Sequence, residues 1–125
     1  MADPSLSIAV VDDDVGVLRA LGRLLRAHGH EVKTFESAQE FLAMLPRDVP
    51  QCLVLDLQMP DMGGLELQQH LVRSGVHLPT IIITAHDDPG VRERCEAAAD
   101  MTFLLKPLQD ASLFAAIKKV TGIAR

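Results

Sequence analysis

Five short apolar runs alternate along the chain with stretches in which leucine and alanine recur every three or four residues. Ser7 to Val11 (SIAVV) is apolar and β-branched, which predicts a strand, and it runs straight into Asp12, Asp13 and Asp14. Leu18, Leu21, Leu24 and Leu25 then follow at helical spacing and His28-Gly29 supplies a stop, predicting a helix of about three turns. Glu31 to Phe35 alternates as a short second strand. Ser37 can cap a helix whose apolar face is Phe41, Leu42 and Leu45, and Pro46 ends it. Cys52 to Leu57 is the third strand, bounded by turn signals at Pro60 and Gly63-Gly64. A helix from about Gly64 to Ser74 carries Leu67 and Leu71 one turn apart, and Gly75 closes it. Thr80 to Ala85 (TIIITA) is the most strand-like segment and ends in the polar loop His86 to Gly90. A helix is expected from roughly Val91 to Ala98, a fifth strand over Met101 to Leu105, and a last helix through Leu113, Ala116, Ile117 and Val120.

Strict alternation with short links predicts an α/β fold: a doubly wound parallel sheet of five strands with five helices on its two faces and right-handed crossovers. The length of 125 residues suits one domain, expected to span 1–125 with a core of about 7 to 120 and no second unit. With 48% hydrophobic and 23% charged residues and no apolar stretch approaching a membrane span, the chain reads as soluble and folded. MADPSLS lacks the layout of a signal peptide, so a cytoplasmic location is expected. Cys52 and Cys95 have no metal-ligand or redox spacing and read as small apolar residues. The net charge of −5, the lack of a basic stripe and the absence of Trp and Tyr argue against a nucleic-acid surface.

Chemistry gathers where the apolar runs end. Asp12, Asp13 and Asp14 follow the first strand, Asp56 ends the third, Thr84 lies in the fourth and Lys106 follows the fifth. In a doubly wound sheet the carboxyl ends of the strands share one rim, where ligands bind. Taken singly, each residue has an ordinary structural role: Asp56 as a helix cap, the acids as a solvated helix start, Thr84 as a strand end, Lys106-Pro107 as a turn. Together they form a site. Carboxylates a few ångströms apart repel by on the order of 4 kcal/mol per pair at an effective dielectric near 20, and a cation cancels that cost. All-oxygen ligands favour Mg²⁺ or Mn²⁺. A carboxylate beside such an ion, with a hydroxyl and an ammonium nearby, has the parts needed to accept a phosphoryl group.

The motifs VVDDD, LVLDLQMPDMGG, IIITA and FLLKP resemble the receiver domains of two-component response regulators, over nearly the whole chain from about Ser7 to Val120. The resemblance implies a flavodoxin-like sheet of order 2-1-3-4-5 and a phosphoacceptor that is not a general enzyme and acts only on itself. Asp56 would take the phosphoryl group from the phosphohistidine of a histidine kinase or phosphotransfer protein. It further implies that Asp13 and Asp56 hold the metal through carboxylates and Gln58 through its backbone carbonyl, with Asp12 acting mainly through water. Thr84 and Lys106 would hold the phosphoryl oxygens, the peptide before Pro107 would be cis, and Phe103 would be the aromatic switch position, its alternative being a plain core phenylalanine. His86 and Gln58 match positions that tune acyl-phosphate hydrolysis, although His86 also reads as a solvated loop residue.

Ala99 and Leu108 depart from the family pattern, which often has Gly at the first and a bulkier residue at the second. Both lie on the face of the fourth helix, fifth strand and fifth helix that the family uses for dimers and output. Other classes fit less well. An aspartate-nucleophile phosphatase would want a second Asp where Gln58 stands, and a nucleotide-binding module would want a Gly-rich cradle where the three acids stand. A pseudo-receiver serving only as an interaction module would not need the full motif set. FESAQEFL and LPTIIITAHDD resemble receivers that precede a DNA-binding helix-turn-helix domain, so either a stand-alone receiver or a piece of a transcriptional regulator fits the sequence.

Overall fold

In a computed structural model, residues Ser5 to Gly122 are described. Met1 to Pro4, which begin the segment read for a leader, and the closing Ile123-Ala124-Arg125 lie outside them. The elements alternate as β1 (Ser7–Val11), α1 (Val15–Ala27), β2 (Glu31–Phe35), α2 (Ala38–Met44), β3 (Cys52–Asp56), α3 (Gly64–Arg73), β4 (Thr80–Thr84), α4 (Pro89–Ala97), β5 (Met101–Leu105) and α5 (Asp110–Thr121). All pairings are parallel and the order is β2-β1-β3-β4-β5, as expected. Among the described residues no helix is long and apolar enough to cross a membrane.

Period-two alternation sends successive side chains of each strand to opposite faces. Ile8, Val10, Val54, Ile81 and Ile83 pack under α1 and α5, against Leu21, Leu25, Leu113 and Ile117. Ala9, Val11, Leu53, Leu55 and Ile82 face the other way, under α2, α3 and α4, against Phe41, Leu67, Leu71 and Cys95. Every residue of β3 and β4 is buried, because these strands are covered on both faces and flanked on both edges.

Several boundaries differ from the sequence expectation for local reasons. β3 ends at Asp56 rather than Leu57 because the Leu57 carbonyl turns back to accept from the Gly64 N–H at 3.0 Å. β4 ends at Thr84 rather than Ala85 because the chain bends there, the Thr84 hydroxyl accepting from the His86 N–H at 3.2 Å. α3 stops at Arg73, with Ser74 as the cap and Gly75 at a φ of 80°. α4 starts two residues early: the Asp88 side chain caps it by accepting from the Val91 N–H at 3.2 Å, and Pro89 sits in the first turn, where no donor is needed. Lys106–Pro107 is cis, as the family resemblance implied.

Gly63-Gly64 reads as a turn signal in the sequence, and packing adds a second reason for it. A Cβ on Gly64 would stand 2.4 Å from the Asp56 carbonyl oxygen, and one on Gly63 would stand 2.7 Å from the Leu57 carbonyl oxygen. These contacts seat the start of α3 against the end of β3. The substitution Gly64→Ala is therefore expected to cost about 1–3 kcal/mol, read as a lower urea midpoint with unchanged slope. An unchanged midpoint would show that the β3–α3 junction tolerates separation.

Candidate functional site

The acidic run after β1 divides its labour. Asp14 is the N-cap of α1, its carboxylate accepting from the Gly16 N–H at 2.8 Å and the Val17 N–H at 3.3 Å. Asp13 is exposed. Asp12 is completely buried, and its Oδ1 accepts from the Asp14 N–H at 2.9 Å. Its Oδ2 receives the Lys106 ammonium at 3.0 Å, and the same ammonium lies 3.5 Å from Asp56 Oδ1. Asp12, Asp13 and Asp56 each place a carboxylate oxygen within 4.8 Å of the others. At that spacing each pair repels by about 3–4 kcal/mol at an effective dielectric near 20, and among the described residues the Lys106 ammonium reaches two of the three carboxylates. The donor set is all oxygen and mixes buried with exposed carboxylates, which fits a hard divalent ion that keeps part of its water.

Burial and crowding together set the electrostatics. Burial, and then the charge of Asp12, push the Asp56 carboxyl up from 3.8 to about 6, although the Lys106 charge and a hydrogen bond from the Gln58 backbone pull the other way. Burial pulls the Lys106 ammonium down, but the hydrogen bond to Asp12 and the charges of Asp12 and Asp56 outweigh it, so Lys106 stays above its ordinary 10.5. Lys106 is thus a fixed cation at the rim.

The remaining expected residues are distributed around this centre. Thr84 is buried at the end of β4, one position beyond Ile83, which pairs with Asp56 across the sheet. Its hydroxyl is engaged by the His86 N–H. Gln58 is exposed and meets Asp56 through its backbone. Phe103 is partly buried on β5, with the guanidinium of Arg92 5.4 Å from its ring centre. No sequence pattern marks Arg92, because its part depends on a loop geometry that carries no motif.

Residues 8–118 match the family model for the response regulator receiver domain. The chain belongs to the receiver domain family. Among curated relatives of this receiver, nodulation protein W of Bradyrhizobium diazoefficiens is 40% identical over 91% of the chain and 50% of its own length. The transcriptional regulatory protein FixJ of Rhizobium meliloti is 35% identical over 92% of the chain and 56% of its own length. The receiver chain therefore spans about half the length of these relatives. Among solved structures, a response regulator receiver protein from Burkholderia phymatum is 45% identical with a TM-score of 0.80, covering 94% of this chain and 96% of that one. FixJ-N is 33% identical with a TM-score of 0.84, covering 98% of each chain.

The raised Asp56 carboxyl has a measurable consequence. A group favoured in its protonated form by the fold lends stability below its unfolded value, near 3.8, and loses it as pH rises through about 6. At neutral pH the ionised Asp56 therefore opposes folding. In the absence of divalent ions, Asp56→Asn is expected to be more stable than the wild type by up to about 3 kcal/mol near pH 8. The advantage should vanish below about pH 4, and adding Mg²⁺ should narrow it at high pH by stabilising the wild type alone. Urea unfolding at the two pH values reads this directly, and equal midpoints near pH 8 would contradict it.

Proposed function

We propose that the chain accepts a phosphoryl group on Asp56 and switches conformation in response, the donor being the phosphohistidine of a histidine kinase or phosphotransfer protein. The observation that carries this reading is the convergence of Asp12, Asp13, Asp56 and Lys106 at the carboxyl rim of the sheet. An Asp56 carboxylate oxygen attacks phosphorus, the bond from phosphorus to the imidazole nitrogen of the donor breaks, and the imidazole leaves with the bonding pair. Lys106, already shared between Asp12 and Asp56, turns its ammonium to an oxygen of the transferred group. Thr84 exchanges the His86 N–H for a phosphoryl oxygen, to which its hydroxyl then donates.

A divalent ion, Mg²⁺ or Mn²⁺, held by the Asp13 and Asp56 carboxylates and the Gln58 carbonyl, with Asp12 acting mainly through water, would neutralise charge on the transferring oxygens. Asp12 supplies charge and holds Lys106 in place. Dephosphorylation by water at the same site completes the cycle, so the chain would act chemically only on itself. The switched surface around Phe103 would then be read by an output domain or a second copy through the face of α4, β5 and α5.

The test is to incubate the chain with Mg²⁺ and acetyl phosphate and record intact mass. The wild type should gain one phosphoryl group, Asp56→Asn none, and Lys106→Ala should gain it at least about tenfold more slowly. An unchanged wild-type mass, or an equal gain by Asp56→Asn, would overturn the reading.

A further inference from the structure

One surface side chain joins three elements beside the site. Arg92, one turn into α4, donates from its guanidinium to Asp87 Oδ1 at 2.7 Å, reaching back into the loop between β4 and α4. The same guanidinium lies over the Phe103 ring of β5, 5.4 Å from its centre. We propose that Arg92 is a latch, holding the β4–α4 loop through Asp87 and the Phe103 ring through its face, so that a partly exposed ion pair sets how readily the domain leaves its resting state.

The loop that Arg92 holds is tied at its other end to the site. Thr84 Oγ1 accepts from the His86 N–H at 3.2 Å, and Asp87 is the next residue. If Thr84 releases that bond to meet a phosphoryl oxygen, the segment from His86 to Asp88 loses a restraint at one end while Arg92 still grips it at the other. Asp88 cannot move freely either, because it caps α4. Phe103 is only partly enclosed: it shares with Arg92, Cys95, Glu96 and Leu105 the wall of a groove of about 340 Å³ between α4 and β5. The ring therefore has space beside it, and the guanidinium covers its face. Loop displacement strains the Asp87 contact and ring rotation breaks the Phe103 contact, so both changes are opposed by the same side chain. An exposed ion pair and an exposed cation–π contact together bias such an equilibrium by about three- to tenfold.

This proposal rests on the phosphoacceptor reading for its consequence, but the latch itself is measurable without any phosphoryl chemistry. The experiment determines the χ1 populations of the four phenylalanines from three-bond couplings in isotopically labelled protein without ligand. Wild-type Phe103 is expected in one rotamer at low salt. Arg92→Ala should average Phe103 alone, Asp87→Asn should do so part-way, and the exposed Glu93→Ala on the same helix should not. Salt near 0.5 M should move the wild type, and not Arg92→Ala, toward averaging. A single Phe103 rotamer in Arg92→Ala, or averaging already present in the wild type, overturns the latch, because a residue that only supports α4 leaves this ring unaffected. In the same samples, Arg92→Ala should gain phosphoryl from acetyl phosphate about three- to tenfold faster than the wild type. Equal rates would remove the link between latch and switch. If no variant gains phosphoryl, the phosphoacceptor reading fails while the rotamer result still decides what Arg92 does.

Discussion

Like charges held together at the end of a buried sheet are the constraint on which the structure turns. Asp12 and Asp56 are 0% and 6% exposed, and among the described residues one ammonium, that of Lys106 just after β5, touches both. A fold that only needed stability would not keep this arrangement, since two buried carboxylates with one shared cation leave an unbalanced negative charge. A divalent ion would offset that surplus, and the Asp56 carboxyl is pushed up first by its burial and then by the charge of Asp12.

The rest of the fold reads as support for that rim. β1 and β3 lie side by side at the centre, in a register that pairs Val11 with Leu55 and so delivers Asp12 and Asp56 to the same edge. β5 brings Lys106 from the sheet's far side, its N–H donating to the Thr84 carbonyl at 2.7 Å, which fixes where the lysine side chain departs. Gly64 lets α3 press against the Asp56 carbonyl. Tightly packed apolar layers beneath hold these strand ends in place, while the loops above them are largely exposed.

Much of this could be read from sequence, and the reasons are specific. The apolar runs of β1, β3 and β4 are continuous because both faces are covered, so they stand out against any helix. The candidate site was legible because Asp12 and Asp13 come after β1, Asp56 ends β3 and Lys106 follows β5, and strand ends in this architecture share a rim. The division of labour within Asp12-Asp13-Asp14 was not legible: one is buried against a lysine, one is exposed and one caps a helix, which only the turn after Val11 decides. Nor did the sequence show why glycine stands at 64, since close backbone approach leaves no periodic trace. Arg92 escaped for a related reason. Its partners Asp87 and Phe103 are five and eleven residues away, in a loop and a strand, so no helical pattern joins them.

The central claim is that Asp56, and not its acidic neighbours, carries the phosphoryl group. Treating the phosphorylated chain with borohydride reduces an aspartyl phosphate to homoserine, and fragmentation mass spectrometry then locates the change. Homoserine is expected at position 56 alone, while Asp12, Asp13 and Asp14 remain aspartate. Homoserine at any of those three, or its appearance elsewhere in Asp56→Asn, would contradict it.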